Sequence, residues 1–251
     1  MRNLCLLFCV FCVFFGFAQK QGVVTYRVKI LKNYTLREDI KNDMPEFYDE
    51  LVLGDSIANA TFKFNLKFND SLSLFTGAED YGAKYQGDMQ DAVLISSENT
   101  NAEFIYYSDR KNNLFVKQFF YCFSDVLIED VILKHNWNLK NETKVIGGYT
   151  CYKAVTNNYN SFLKKNTETV AWYTLDVNIP IGPINYGGLP GLILRLDTDM
   201  LSYYATKIDF KKSDLKILKP TFGKKMNRKE FNEIKDKLEK NGLELIYEGK
   251  I

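Results

Sequence analysis

The sequence predicts an α+β fold that is predominantly antiparallel β, a curved sheet packed with one or two helices. Three observations carry that expectation. The chain of 251 residues holds 16 Tyr and 19 Phe, and bulky aromatics suit pleated, half-buried strands better than helices. Apolar residues alternate with polar ones over short runs, the two-residue period of a strand that buries one side. A sheet covered on one face only is antiparallel, because parallel sheets are buried on both. Finally, the segments between runs are short and polar, as in Asp109-Arg110-Lys111-Asn112-Asn113, which suits a meander.

The runs follow in order. From Val24 to Ile30, Val24, Tyr26, Val28 and Ile30 alternate with Thr25, Arg27 and Lys29. Thr61–Phe68 is a cleaner case, with Phe62, Phe64, Leu66 and Phe68 on one face and Thr61, Lys63, Asn65 and Lys67 on the other. Asn69-Asp70 then supplies a turn before Leu72–Phe75. Further strands are predicted at Glu103–Tyr107, Leu114–Tyr121, Val126–Leu133, Lys144–Gly147, Cys151–Val155, Glu168–Tyr173, Leu192–Asp197 and Tyr203–Phe210. Asp43 is expected to cap a helix that carries Pro45 in its first turn and stops near Gly54 or shortly beyond. A second helix is better marked: Asn227 as N-cap, Glu230 as its capping-box partner, Phe231, Ile234 and Leu238 on one stripe, and Gly242 past the end. Tyr81–Ser97, with Gly82 and Gly87, reads as a long surface loop.

The chain opens with Met1-Arg2-Asn3, an uncharged apolar run from Leu4 to Phe17, and Gly16-Phe17-Ala18 before Gln19. A basic start, an apolar stretch and a small-x-small site are the pattern of a cleavable export signal. The run is shorter than the roughly 20 residues a bilayer requires. Residues 1–18 are therefore expected to be removed, leaving Gln19–Ile251 as one domain, exported to the periplasm, envelope or beyond. Charge is nearly balanced, with 33 Lys+Arg against 31 Asp+Glu, so there is no electrostatic case for nucleic acid. The late cluster from Lys207 to Lys229 is diluted by Asp209, Asp214 and Glu230 and reads as a solvated face. No stretch after the leader is long and apolar enough to span a membrane.

Catalytic chemistry finds few candidates. His135 is the single histidine, so multi-histidine metal sites are ruled out within one chain, and no nucleophile elbow or phosphate loop accompanies it. Beside Leu133-Lys134 and Asn136-Trp137 it is expected at an exposed strand edge. Asp197-Thr198-Asp199 reads as turn chemistry rather than a calcium site. No cofactor and no metal are expected. Cys122 and Cys151 remain once the leader is gone; in an oxidising compartment they form either one disulfide or two buried thiols. Thiol catalysis would require an exposed Cys151 of lowered pKa.

The feature that stands apart is Gly182-Pro183-Ile184-Asn185-Tyr186-Gly187-Gly188-Leu189-Pro190-Gly191-Leu192-Ile193-Leu194. Pro190 restricts the backbone around it and the glycines permit close approaches. Two uses are open: a corner that positions a core strand, or a rigid rim beside a ligand cavity. The core Gly188-Leu189-Pro190-Gly191-Leu192-Ile193 resembles the name-giving motif of the GLPGLI family, exported proteins typical of Bacteroidetes. The resemblance extends to Ala171-Trp172-Tyr173-Thr174, to Ile179-Pro180-Ile181-Gly182-Pro183 and to Gly148-Tyr149-Thr150-Cys151-Tyr152-Lys153-Ala154. It departs at Tyr159–Asn166, where a short Gly-Arg element is expected. The family has no established activity, so the resemblance implies source and fold and carries over no catalytic residue. Asp55-Ser56-Ile57 and Asp70-Ser71-Leu72 are similar to sites of O-glycosylation in exported proteins of that phylum.

The order of elements loosely resembles the lipoprotein carriers of the Lol pathway, in which a curved sheet wraps helices around an apolar cavity. The leading expectation is thus a non-enzymatic binding or interaction protein of the cell envelope. Trp172, Tyr173, Leu189, Leu192 and Leu194 are the candidates to line an apolar, lipid-accepting cleft. The alternative is a partner-binding module of an outer-membrane or surface assembly that uses the sheet's exposed face and edges.

Overall fold

The computed structural model describes residues 21–34, 36–79, 81, 84–160, 164–211 and 215–241. The expected leader (1–18) and the Gly242 helix stop lie outside them. The elements run β1 (Gly22–Ile30), α1 (Glu38–Asp43), α2 (Pro45–Thr61), β2 (Lys63–Phe68), β3 (Leu72–Gly77), α3 (Asp88–Asn99), β4 (Ile105–Asp109), β5 (Leu114–Tyr121) and β6 (Ser124–Val131). They continue as β7 (Asn138–Ile146), β8 (Tyr149–Asn160), β9 (Lys165–Thr174), β10 (Leu192–Asp197), β11 (Leu201–Phe210), β12 (Lys224–Met226) and α4 (Arg228–Asn241).

All twelve strands form one sheet in the order β12-β6-β5-β4-β3-β2-β1-β11-β10-β9-β8-β7. Every pairing is antiparallel except β12 with β6. Chain connectivity dictates the curvature. Strands β6 and β7 lie ten spacings apart in that order, which in a flat sheet would be about 48 Å at 4.8 Å per spacing. Only residues 132–137 join them, and such a link reaches at most about 25 Å. The sheet must therefore curl until its two ends approach, and residues 132–137 form a strap across its open side.

The inner face is aromatic. Tyr26, Phe64, Phe75 and Tyr203 are buried, with ring centroids 5.3 to 6.1 Å apart. Their hydroxyls are satisfied, as buried phenols require: Tyr26 donates to the Ile193 carbonyl at 2.6 Å and Tyr203 to the Thr100 carbonyl at 2.8 Å. Asn101 donates to Tyr203 Oη (3.0 Å) and accepts from Tyr106 (2.9 Å), which docks the end of α3 on this face. Helices α2 and α3 pack closely, since a Cβ on Gly54 would fall 2.2 Å from the Ala92 carbonyl oxygen. Asp55, buried beside this crossing, accepts from Asn33 (2.9 Å) and Ser96 (3.4 Å).

Several elements depart from expectation. Asp43 ends α1 instead of capping α2, whose N-cap is Met44 with no side-chain bond. Helix α2 continues through Gly54 and takes in Thr61, so the next strand begins at Lys63. Tyr81–Ser97 is largely the helix α3 and not a loop. Its buried side is made of Ala92, Val93, Ser96 and Ser97, small residues that leave only a faint apolar stripe. Strands β7, β8 and β9 extend well beyond their predicted cores. The capping box of α4 forms as read: Asn227 N donates to Glu230 (2.7 Å) and Glu230 N to Asn227 Oδ1 (2.9 Å).

Candidate functional site

The Gly/Pro segment between β9 and β10 folds back on itself as an arch. Ile181 and Gly187 form an isolated bridge, and Gly188 N donates to the Pro180 carbonyl at 3.1 Å. The glycines of the GLPGLI-like run have distinct duties. Gly188 has φ +82° with open space around it, whereas a Cβ on Gly191 would lie 1.9 Å from the Thr174 carbonyl oxygen. Gly191 thus lets the chain press against β9 before β10 begins. Leu189, Leu192, Ile193 and Leu194 are at most 2 % exposed. They are packed core: Leu189 and Leu192 do not line a cleft as expected, and Leu194 borders only a small one of about 40 Å³ beside Ile146 and Ile208.

The arch crosses the interior to reach β3 and β4. Its tip is a single 3-10 turn, Pro183–Asn185, in which Ile184 and Asn185 take φ +44° and +68°. A β-branched residue in that region is strained, at roughly 1–3 kcal/mol. The turn sets Asn185 against β4, where Ser108 donates to its Oδ1 at 2.5 Å.

A cleft of about 420 Å³ lies between the arch, the strap and the ends of β3 and β4. Ile132, Leu133, Pro180 and Ile181 supply its apolar wall; Ser73, Ser108, Asn113 and Asn185 supply hydroxyls and amides; Arg110 and Lys134 supply positive charge. The strap is pinned to the arch by its aromatics. Trp137 Nε1 donates to the Gly187 carbonyl at 2.9 Å, and His135 stacks on Tyr186 with centroids 4.4 Å apart. Nδ1 of His135 faces Asn158 Oδ1 at 3.4 Å, and burial pushes the imidazole pKa down against the opposing pull of that contact. His135 is therefore half-buried, not the exposed residue expected from its neighbours.

Arg110 is the electrostatic centre. Its Nη2 donates to the carbonyls of Asn69 (2.9 Å) and Asp70 (2.6 Å), while its buried Nη1 has no partner. Burial lowers its pKa, partly offset by Asp70 and Asp109. An unsatisfied guanidinium nitrogen costs roughly 1–3 kcal/mol, and a planar fork of donors matches carboxylate or phosphate.

The remaining predicted residues lie elsewhere. Gly188 alone of the motif lines the cleft. Trp172 is half-buried, with the Lys144 ammonium 3.8 Å from its ring centroid; Tyr173 is buried beside Tyr152. Cys122 and Cys151 are free thiols. The disulfide alternative is not realised: Cys122 sits half-buried in the β5–β6 turn and Cys151 is buried on β8, neither bonded to the other. Burial pushes the Cys151 thiol up to about 11, the opposite of an activated nucleophile. Ser56 lies on the exposed side of α2 and Ser71 in the β2–β3 turn. Asp197 accepts from Arg195 (2.8 Å) and Ser202 (2.5 Å), and Asp199 from Lys32 and Tyr34. No group of acids, His and Cys among the described residues could hold a metal ion, and no helix among them is long and apolar enough to cross a membrane. Arg110, Ser108 and Asn185 were not signalled as site residues; Arg110 read only as part of a turn.

A family model described as "Protein of unknown function (Porph_ging)" matches residues 156–195. That stretch takes in the second half of β8, β9, the arch and the first residues of β10. No curated protein matches the sequence. Among solved structures the fold is similar to PNGF-II in two crystal forms, with TM-scores of 0.50 and 0.51 at 17% identity over 86% of this chain. The chain spans about a third of PNGF-II, 32% and 33% in the two forms. At that identity the likeness describes the fold.

Proposed function

We propose that this is a non-enzymatic binding protein of the cell envelope whose arch cleft holds a small amphiphilic anion, an acid with a carboxylate or phosphate head and an apolar body. The observation that carries the reading is that Arg110 and Lys134 share one cleft with an apolar wall, and that Arg110 keeps one guanidinium nitrogen, Nη1, without a partner. Ser73, Ser108 and Asn185 would complete the head-group contacts, and Ile132, Leu133, Pro180 and Ile181 would cover the body. The size falls within the roughly 300–1,000 Å³ usual for ligand sites, and the curled sheet suits the carrier-like reading. The apolar leader pattern at residues 1–18 supports export.

The test is native mass spectrometry of the protein purified from its own envelope, beside Arg110→Met. The wild type is expected to carry a small acid that the variant lacks. A wild type that is ligand-free, or a variant that retains the same mass, would overturn the reading. A second reading, partner binding, is favoured by β7, which pairs only with β8 among the described strands and is exposed along most of its length. A free strand edge can accept an added strand.

A further inference from the structure

A second cleft, of about 580 Å³, lies at the other end of the inner face, between β5, the end of α3 and α4. Its walls are the rings of Phe104, Phe119, Tyr121 and Phe231, which pack edge to face: Phe119 and Tyr121 meet Phe231 at 5.2 and 5.1 Å. Into this apolar space β5 projects Lys117. Its ammonium lies 4.1 Å from the Phe104 ring centroid and 4.2 Å from that of Phe119, with Tyr106 at 5.4 Å. Ring faces attract a cation but accept no strong hydrogen bond. Among the described residues the half-buried Lys117 has no ion pair and no hydrogen-bond acceptor, so its ammonium is left to the ring faces and the water of the cleft. The other charged residues lining the cleft are Lys235 and Glu98.

The mouth of the cleft is equally unusual. The turn from β5 to β6 is Cys122-Phe123, with φ of +47° and +65°. A two-residue hairpin turn with both centres left-handed favours Asn-Gly or Gly-Gly; a cysteine and a phenylalanine there raise the energy of the turn. The strained turn holds Phe123 77 % exposed, beside Phe120 at 57 %. Both residues border the cleft. A cation lacking an acceptor, an aromatic chamber and an apolar lip at its entrance call for a single kind of ligand.

We propose that this cleft binds a long-chain fatty acid, its carboxylate on the Lys117 ammonium and its acyl tail along Phe104, Phe119, Tyr121 and Phe231, entering over Phe120 and Phe123. The carboxylate supplies the acceptor that Lys117 lacks, and the tail covers Phe104, Tyr121 and Phe231, which are only half-buried. Lys235 adds positive potential on the α4 side. The site shares no residue with the arch cleft, so either assignment can fail alone.

The experiment is titration of the full-length protein at pH 7 with cis-parinaric acid, a fluorescent fatty acid, and its displacement by oleate. Saturable binding is expected, with Lys117→Met weakening oleate at least tenfold and Lys29→Met, at an exposed position of β1 that lines neither cleft, leaving it within about twofold. Oleyl alcohol, which keeps the tail and lacks the charge, is expected to displace the probe at least tenfold less well than oleate. Circular dichroism verifies that both variants are folded, and Lys117→Arg, which keeps the charge, is expected to restore most of the affinity. Absence of saturable binding, equal affinity for the alcohol, or an unchanged affinity in Lys117→Met would each overturn the assignment.

Discussion

The rings of His135 and Tyr186 lie nearly parallel, 14° apart with centroids at 4.4 Å, and this stack clamps the strap between β6 and β7 onto the arch. The contact has a pH dependence. Burial lowers the His135 pKa in the folded protein, so the unfolded chain takes up its proton first as pH falls. The stability that neutral His135 supports is present above its unfolded pKa of about 6.5 and is lost below it. Urea denaturation is expected to show lower stability at pH 5 than at pH 7.5, with a smaller difference in His135→Gln.

The glycines flanking Leu189-Pro190 should respond unequally to a methyl group. Gly191→Ala forces a Cβ into the Thr174 carbonyl oxygen, a backbone collision with no flexible side chain to yield. The expected loss is about 2–4 kcal/mol. Gly188→Ala meets open space but must keep φ +82°, a loss of about 1–2 kcal/mol. Guanidinium denaturation of the two variants measures the difference, and equal losses would contradict the distinct duties assigned here.

The two thiols differ in access. Cys122 lies in an exposed turn, while Cys151 is buried on β8 with its thiol pushed up to about 11. Iodoacetamide at pH 8 under non-reducing conditions, with the modified residue located by peptide mass mapping, is expected to label Cys122 in the folded protein. Cys151 should be labelled only in denaturant. A peptide linking the two residues would contradict the free thiols.

Lys117 should lower the stability of the ligand-free protein at neutral pH. Burial, assisted by Lys235, brings its pKa down to about 8, against about 10.4 unfolded. Below pH 8 both states are protonated and the penalty is constant. Between pH 8 and about 10.4 the folded protein sheds the proton first, and stability rises with pH. Lys117→Met is expected to be more stable at pH 7 by about 1 kcal/mol, the desolvation being partly offset by the ring contacts. It should also lack the rise above pH 8. Thermal melts from pH 7 to pH 10 compare the two.

Patterns of short range were legible in the sequence. The two-residue alternation of Phe62, Phe64, Leu66 and Phe68 predicts β2 because a pleat turns successive side chains to opposite faces. The Asn227–Glu230 box predicts α4 because its bonds close within one turn. Helix α3 was not legible: its packing residues are small, and their burial is achieved only when Gly54 of α2 admits them. Leu189, Leu192 and Leu194 were read as cleft lining because an apolar side chain has the same pattern whether it meets a ligand or a neighbouring strand.

By itself the sequence determined the strand-rich class, the antiparallel pairing, the α4 cap and the sharp corner at Leu189-Pro190, all set by neighbours a few residues apart. Tertiary structure alone decided that Arg110, Asn185 and His135 share one cleft and that Phe231 of α4 closes over Phe119 and Tyr121. Those meetings depend on the short strap drawing together the ends of a long sheet, and on a helix laid over it. No local pattern records a contact between residues 50 or more positions apart, because its energy arises only once the sheet has curled.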